Sequence, residues 1–160
     1  MKSLAQLAYM PFYNLAESFL DNVVFDKVNE PAIGSVLYCD LLLGYAEHSG
    51  IYVGNGNIVH LDGDGLIELV DGEEFISNTT AMSIYVSCQG TKPVGSQVVG
   101  ERAMEQVGIC REYNFLLDNC HQFSTGCLTG NFENINSFLW MLKDTSNKVL
   151  NSNNWRVWDL

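Results

Sequence analysis

The sequence predicts an α+β fold in a single domain, an antiparallel sheet packed against a helix that carries a cysteine. Three observations predict it. Two β-rich runs, His48 to Val53 and Asn57 to Leu61, flank the cluster Gly54-Asn55-Gly56, a strong hairpin signal. Cys120, Phe123, Cys127 and Leu128 recur at the spacing of one helix face, directly after Asp118 and Asn119. Further strand-like runs stand at 35–39, 66–70 and 82–88, and no internal repeat, low-complexity tract or linker divides the chain.

In chain order, Pro11 suits a first helical position, and Phe12, Leu15, Ala16, Phe19, Leu20 and Val23 follow helical spacing, predicting a helix over 11–25. Glu30-Pro31 and Gly34 then begin a new unit, with a strand over 35–39. In the hairpin a two-residue Asn55-Gly56 turn would pair Ile51 with His60. A three-residue Gly54-Asn55-Gly56 loop would pair Val53 with Asn57 and Gly50 with His60. Only the second sorts Ile51, Val53, Val59 and Leu61 onto one face and His48, Gly50, Tyr52, Ile58 and His60 onto the other. Because a slip of one residue flips every side chain, that sorting selects it. Asp62 to Gly65 reads as a turn, 66–70 as a strand, 71–80 as a loop and 82–88 as a strand. Ser96 caps a helix to Val107 with Val99, Ala103, Met104 and Val107 inward and Gly108 as its stop. Tyr113 to Leu117 reads as a short strand leading into the Cys120 helix, which Gly126 or Gly130 ends. Ile135, Phe138, Leu139 and Leu142 suggest a last helix, and Trp155 and Trp158 in the tail are expected to pack on the core.

The 160 residues fit one domain able to bury a core. A net charge of −11 argues against unaided binding to nucleic acid or to an anionic membrane surface, although a partner protein is compatible with it. Five cysteines, an odd number without C-x-x-C spacing, fit a reducing, cytoplasmic location rather than a disulfide framework. Neither zinc spacing nor a calcium-loop pattern is present, so no metal and no cofactor is expected. No window approaches the ~20 apolar residues that cross a bilayer, and the first nine residues do not read as a signal peptide.

Asn119 or Asp118 as N-cap puts Cys120 in the first helical turn, where the helix dipole favours thiolate. A cysteine nucleophile needs a base and a group that orients the base. Of the three histidines, His121 adjoins Cys120, so its side chain is expected to point away and to serve packing or surface. His48 and His60 remain, on one face of one hairpin. If that face packs against the start of the Cys120 helix, a Cys–His–His triad is assembled, with the Cys120 backbone N–H as a natural oxyanion donor.

His48-Ser49-Gly50-Ile51-Tyr52-Val53-Gly54 with His60, followed by Asn119-Cys120-His121-Gln122-Phe123, resembles the histidine hairpin and cysteine box of the lecithin:retinol acyltransferase-like family. The order, histidines before cysteine, is that of the permuted, NlpC-type branch of the papain-like fold. The likeness spans roughly residues 31–130 as a core, flanked by an N-terminal helix within 1–30 and a C-terminal helix and tail over 131–160. It implies that Cys120 is the nucleophile, His48 the base and His60 the orienting member. It also implies a thioester at Cys120 and acyl transfer to water or another acceptor. Tyr52 and Asn119 are the candidates for positioning substrate and oxyanion. Ser49 stands where eukaryotic members typically carry an aromatic, and the hydrophobic C-terminal anchor of lipid-acting relatives is missing. The cysteine box is also similar to that of permuted deubiquitinase-like isopeptidases, which use a Cys–His dyad. The expected substrate is an acyl-bearing small molecule, lipid or peptide. The alternatives are a peptidase, amidase or isopeptidase acting on peptidoglycan or protein, and a binding module without catalysis.

Overall fold

A computed structural model describes residues 27–41, 46–112, 114 and 119–160. The helix expected over 11–25 and nearly all of the strand expected over 113–117 lie outside these residues. The described elements are β1 (Val36–Asp40), β2 (Glu47–Gly54), β3 (Asn57–Leu61), β4 (Ile67–Asp71), α1 (Gly72–Ile76), β5 (Tyr85–Gln89), β6 (Lys92–Pro93), α2 (Gln97–Glu105), α3 (Cys120–Thr129), α4 (Leu139–Leu150) and β7 (Asn154–Val157). The strands form one sheet in the order β4-β3-β2-β1-β5-β6, with β7 also on β5, and every pairing between named strands is antiparallel. The α+β class read from the sequence holds.

Alternation along the strands gives the sheet two apolar faces. Val36, Tyr38, Ile51, Val59 and Leu61 pack under α2, α3 and α4, against Val99, Ala103, Phe123, Cys127, Leu139 and Leu142. Leu37, Cys39, Tyr52, Ile58 and Val86 face the other way, onto Phe75 of α1 and Trp158. Each fully buried Phe or Leu contributes about 1.5–3 kcal/mol relative to exposure, so the first face anchors the three larger helices. Among the described residues no helix is long and apolar enough to cross a membrane.

The hairpin reaches its expected sorting by an unexpected route. Gly50 pairs with His60, Ile51 with Val59 and Tyr52 with Ile58, but Asn57 pairs with Gly54 and not with Val53. Asn55 (φ 53°) and Gly56 (φ 77°) make a two-residue turn of the kind that suits the strand twist. Val53 is an extra residue, a bulge that shifts the register by one. The turn and the face sorting are thus both satisfied, which neither simple register allowed.

Other expectations need correction. Residues 72–76, read as loop, form a short helix because the Asp71 side chain caps it at the Glu74 N–H. Met104 and Val107, expected inward, are 45% and 39% exposed, since α2 buries only the narrower stripe of Val99, Gly100 and Ala103. Ile135 is 80% exposed and precedes α4, which starts at Leu139. The tail is a strand: Trp155 pairs with Ser87, and both Trp155 and Trp158 are buried, as expected.

Gly50 lies between the two histidines on their shared face, and a methyl there would meet Ile58 Cγ2 at 2.8 Å and the Val59 carbonyl oxygen at 2.9 Å. Gly50→Ala is expected to cost about 1–3 kcal/mol, as overpacking does, read as a lower midpoint in urea with unchanged slope.

Candidate active site

Cys120 opens α3, and the local sequence explains why the helix starts there. The Asn119 carboxamide oxygen accepts from the N–H groups of His121 (3.0 Å) and Gln122 (3.2 Å), while the Asn119 N–H donates to Gln122 Oε1 (3.0 Å). This reciprocal cap is worth about 1 kcal/mol. Asn119 Nδ2 donates to the Ser137 carbonyl (2.8 Å), tying the cap to the segment before α4. At the other end Gly130, at φ 80°, stops the helix. Asn119, expected near substrate, is therefore committed to holding the helix start, and the Cys120 N–H is not among the groups it takes.

The helix lies on the Ser49–Ile51 face of β2. Ser49 Oγ is 3.0 Å from Ser124 Oγ and 2.8 Å from His121 Nδ1. His121 is only 4% exposed, so of the packing and surface roles expected for it the packing one holds, but its ring does not point away from the cysteine. Its Nδ1 lies 3.9 Å from Cys120 Sγ, and the thiol points at the Glu47 carbonyl oxygen at the same distance. Adjacent residues on a helix diverge by about 100° at Cα, but the imidazole curls back under the turn because Ser49 supplies its partner. Cys120 itself is 2% exposed. Burial pushes its thiol up to about 11, against the lowering effect of the Ser49 N–H and hydroxyl and the His121 N–H, so at neutral pH the resting sulfur is protonated.

His48 and His60 meet, as the sequence led us to expect. His48 Nε2 is 2.7 Å from His60 Nδ1, with ring planes at 85°. The two are diagonal, since Gly50 is the residue directly opposite His60, and a side chain at Gly50 would press on the His60 Cβ at 3.2 Å. Phe75 packs on both, its ring 4.9 Å from His48 and 5.4 Å from His60. Beside them opens a cavity of about 330 Å³ whose lining, among the described residues, carries Asp62, Asp64, Glu68 and Glu74 and no lysine or arginine. Glu68 Oε1 is 3.3 Å from His60 Nε2.

The sulfur and the histidine pair thus approach the start of β2 from its two sides. Glu47, whose carbonyl the thiol touches, is the residue before His48. Among the described residues no hydrogen bond joins Cys120 to His48 or His60, and the imidazole hydrogen-bonded with the sulfur is His121. Tyr52, the other candidate for positioning, is directed elsewhere: its hydroxyl donates to Glu30 Oε1 (3.0 Å) and accepts from the Gly56 N–H (3.1 Å) at the hairpin tip. Among the described residues no group of three or more His, Cys, Asp or Glu is arranged to hold a metal ion.

A family model described as lecithin retinol acyltransferase matches residues 29–133. The chain belongs to that family. The matched region contains both histidines of the hairpin, the cysteine and all of α3, and leaves α4 and β7 outside. No curated protein matches the chain. Membership associates the chain with acyltransferase and thiol hydrolase chemistry in general.

Burial holds His60 and His121 each down to about 4, and holds His48 well below the usual histidine value with His60 and His121 as further causes. The unfolded chain therefore binds more protons than the folded one from about pH 6.5 down to about 4, so stability is full above that window and falls as pH drops through it. The thermal midpoint is expected to decrease steadily from pH 7 to pH 4, followed by calorimetry. A flat profile would contradict the burial of neutral rings.

Proposed function

We propose that this protein is a cysteine-dependent thiol hydrolase or acyltransferase that takes the acyl group of an ester or amide onto Cys120 as a thioester. The observation that carries the reading is the capped helix start, which sets Cys120 Sγ and the first-turn Cys120 N–H at one end of β2, beside the residue that precedes His48. Membership of the acyltransferase family supports it.

In this mechanism Sγ attacks the acyl carbonyl carbon as the thiol proton passes to His48 Nδ1. Attack and proton transfer are coupled, because a thiol held near 11 does not ionise beforehand at neutral pH. The carbonyl oxygen becomes an oxyanion, and the Cys120 N–H at the positive end of α3 donates to it. Collapse expels the alcohol or amine, which takes the proton from His48. Water or a second acceptor then gives its proton to His48 and attacks the thioester carbonyl, and as the C–S bond breaks His48 returns that proton to the Cys120 sulfur. The first step requires His48 Nδ1 within reach of the sulfur, with His60, 2.7 Å from His48 Nε2, orienting the ring.

A second reading makes His121 the base, because its Nδ1 is already 3.9 Å from Sγ and the ring is neutral at physiological pH. Three substitutions separate the two. Cys120→Ala is expected to abolish turnover of an activated acyl ester under either reading, with circular dichroism unchanged. With His48 as base, His48→Ala loses about 10²–10⁴-fold, whereas His121→Gln, which keeps a partner for Ser49, retains most activity. The opposite pattern would transfer the role to His121, and full activity in Cys120→Ala would refute both.

A further inference from the structure

The outer side of the histidine pair carries a group that the mechanism above does not use. His60 and Glu68 are directly opposite each other on β3 and β4. The Glu68 carboxylate lies 3.3 Å from His60 Nε2, and among the described residues this buried nitrogen has no hydrogen bond aligned on it. His60 is buried and Glu68 is 37% exposed, so the carboxylate is solvated on one side and presented to the ring on the other.

The two rings admit two proton arrangements. In the first, His48 carries its proton on Nε2 and donates to His60 Nδ1, so His60 carries its own on Nε2, facing Glu68. His48 Nδ1 is then bare and able to accept. In the second, His60 Nδ1–H donates to His48 Nε2, which leaves His48 Nδ1 already protonated and unable to act as a base. It also leaves the bare Nε2 lone pair of His60 turned toward a carboxylate 3.3 Å away, lone pair against anion. Among the described residues no lysine or arginine lines the cavity to offset that repulsion, and Asp62 and Glu74 add to the negative field around Glu68.

We propose that Glu68 is a positioning residue that selects the Nε2–H tautomer of His60 and, through it, the Nε2–H tautomer of His48, keeping His48 Nδ1 bare for the thiol proton. The inference rests on His48 as the base. When the Cys120 proton arrives at Nδ1, the imidazolium charge remains on His48, the Nε2–H bond stays intact, and Glu68 stays a carboxylate that orients without taking a proton. The neutral state of both rings near pH 7 is the condition under which a tautomer can be selected.

The test is the long-range ¹H–¹⁵N imidazole spectrum of the ¹⁵N-labelled full chain at pH 7.5, for wild type, Glu68→Ala and Glu68→Gln. Wild type is expected to show the Nε2–H form for both rings. Glu68→Gln should keep it, because the amide oxygen still accepts, and Glu68→Ala should lose it at His60. Turnover of a p-nitrophenyl acyl ester should fall roughly tenfold in Glu68→Ala, in kcat rather than KM, with most of it recovered in Glu68→Gln. An Nδ1–H His60 in wild type, or an unchanged spectrum in Glu68→Ala, overturns the assignment. If wild type shows no ester turnover but Glu68→Ala still loses the tautomer, the acyl-enzyme reading fails while the assignment of Glu68 is supported.

Discussion

The seating of α3 on β2 is the constraint from which the rest of the site follows. Phe123 and Cys127 press into the face formed by Ile51 and Val59, and Ser124 meets Ser49 where the helix crosses the strand. An apolar contact fixes the depth of the helix and a polar one fixes its position along the strand. With those set, the Asn119 cap decides where the first turn begins, and Cys120 has no freedom left. The residue at position 49 matters more than its size suggests. A serine hydroxyl bridges Ser124 and His121, and a bulky aromatic at this position would occupy the space of that network.

The same seating explains a tension in the site. Placing a thiol and three imidazoles in a low-dielectric interior keeps all of them neutral, which favours the packed state near pH 7 and works against ionising the sulfur. A pair in which the proton moves only as the acyl carbonyl arrives is consistent with such an interior. It separates charge only where the helix start and the Glu68 side can stabilise it. The histidines belong to the Phe75 face and the cysteine to the helix face, and the start of β2 is the segment common to both.

What the sequence disclosed was what depends on periodicity. The shared face of His48 and His60 was readable because strand alternation is strict, and the start of α3 was readable because Asn119 and Gln122 have the spacing of a cap. The bulge at Val53 was not readable. A two-residue Asn55-Gly56 turn and the sorted faces each looked right alone, and only an inserted residue reconciles them. The turn of the His121 ring toward the sulfur also escaped, because neighbouring positions on a helix give directions at Cα, whereas the final place of a ring depends on a partner, here Ser49, remote in sequence. Helix α1 escaped for want of length, since five residues give no period to recognise and only the Asp71 cap marked it. Glu68 sat in an ordinary strand pattern, and its relation to His60 required the β3–β4 register.

The most direct measurement is the mass of the protein quenched in acid during turnover of an activated acyl ester, followed by peptide mapping. The account predicts an added acyl mass on the peptide that contains Cys120, removed by hydroxylamine. Turnover that proceeds with no acyl group on Cys120, or with the acyl group on another residue, would contradict it.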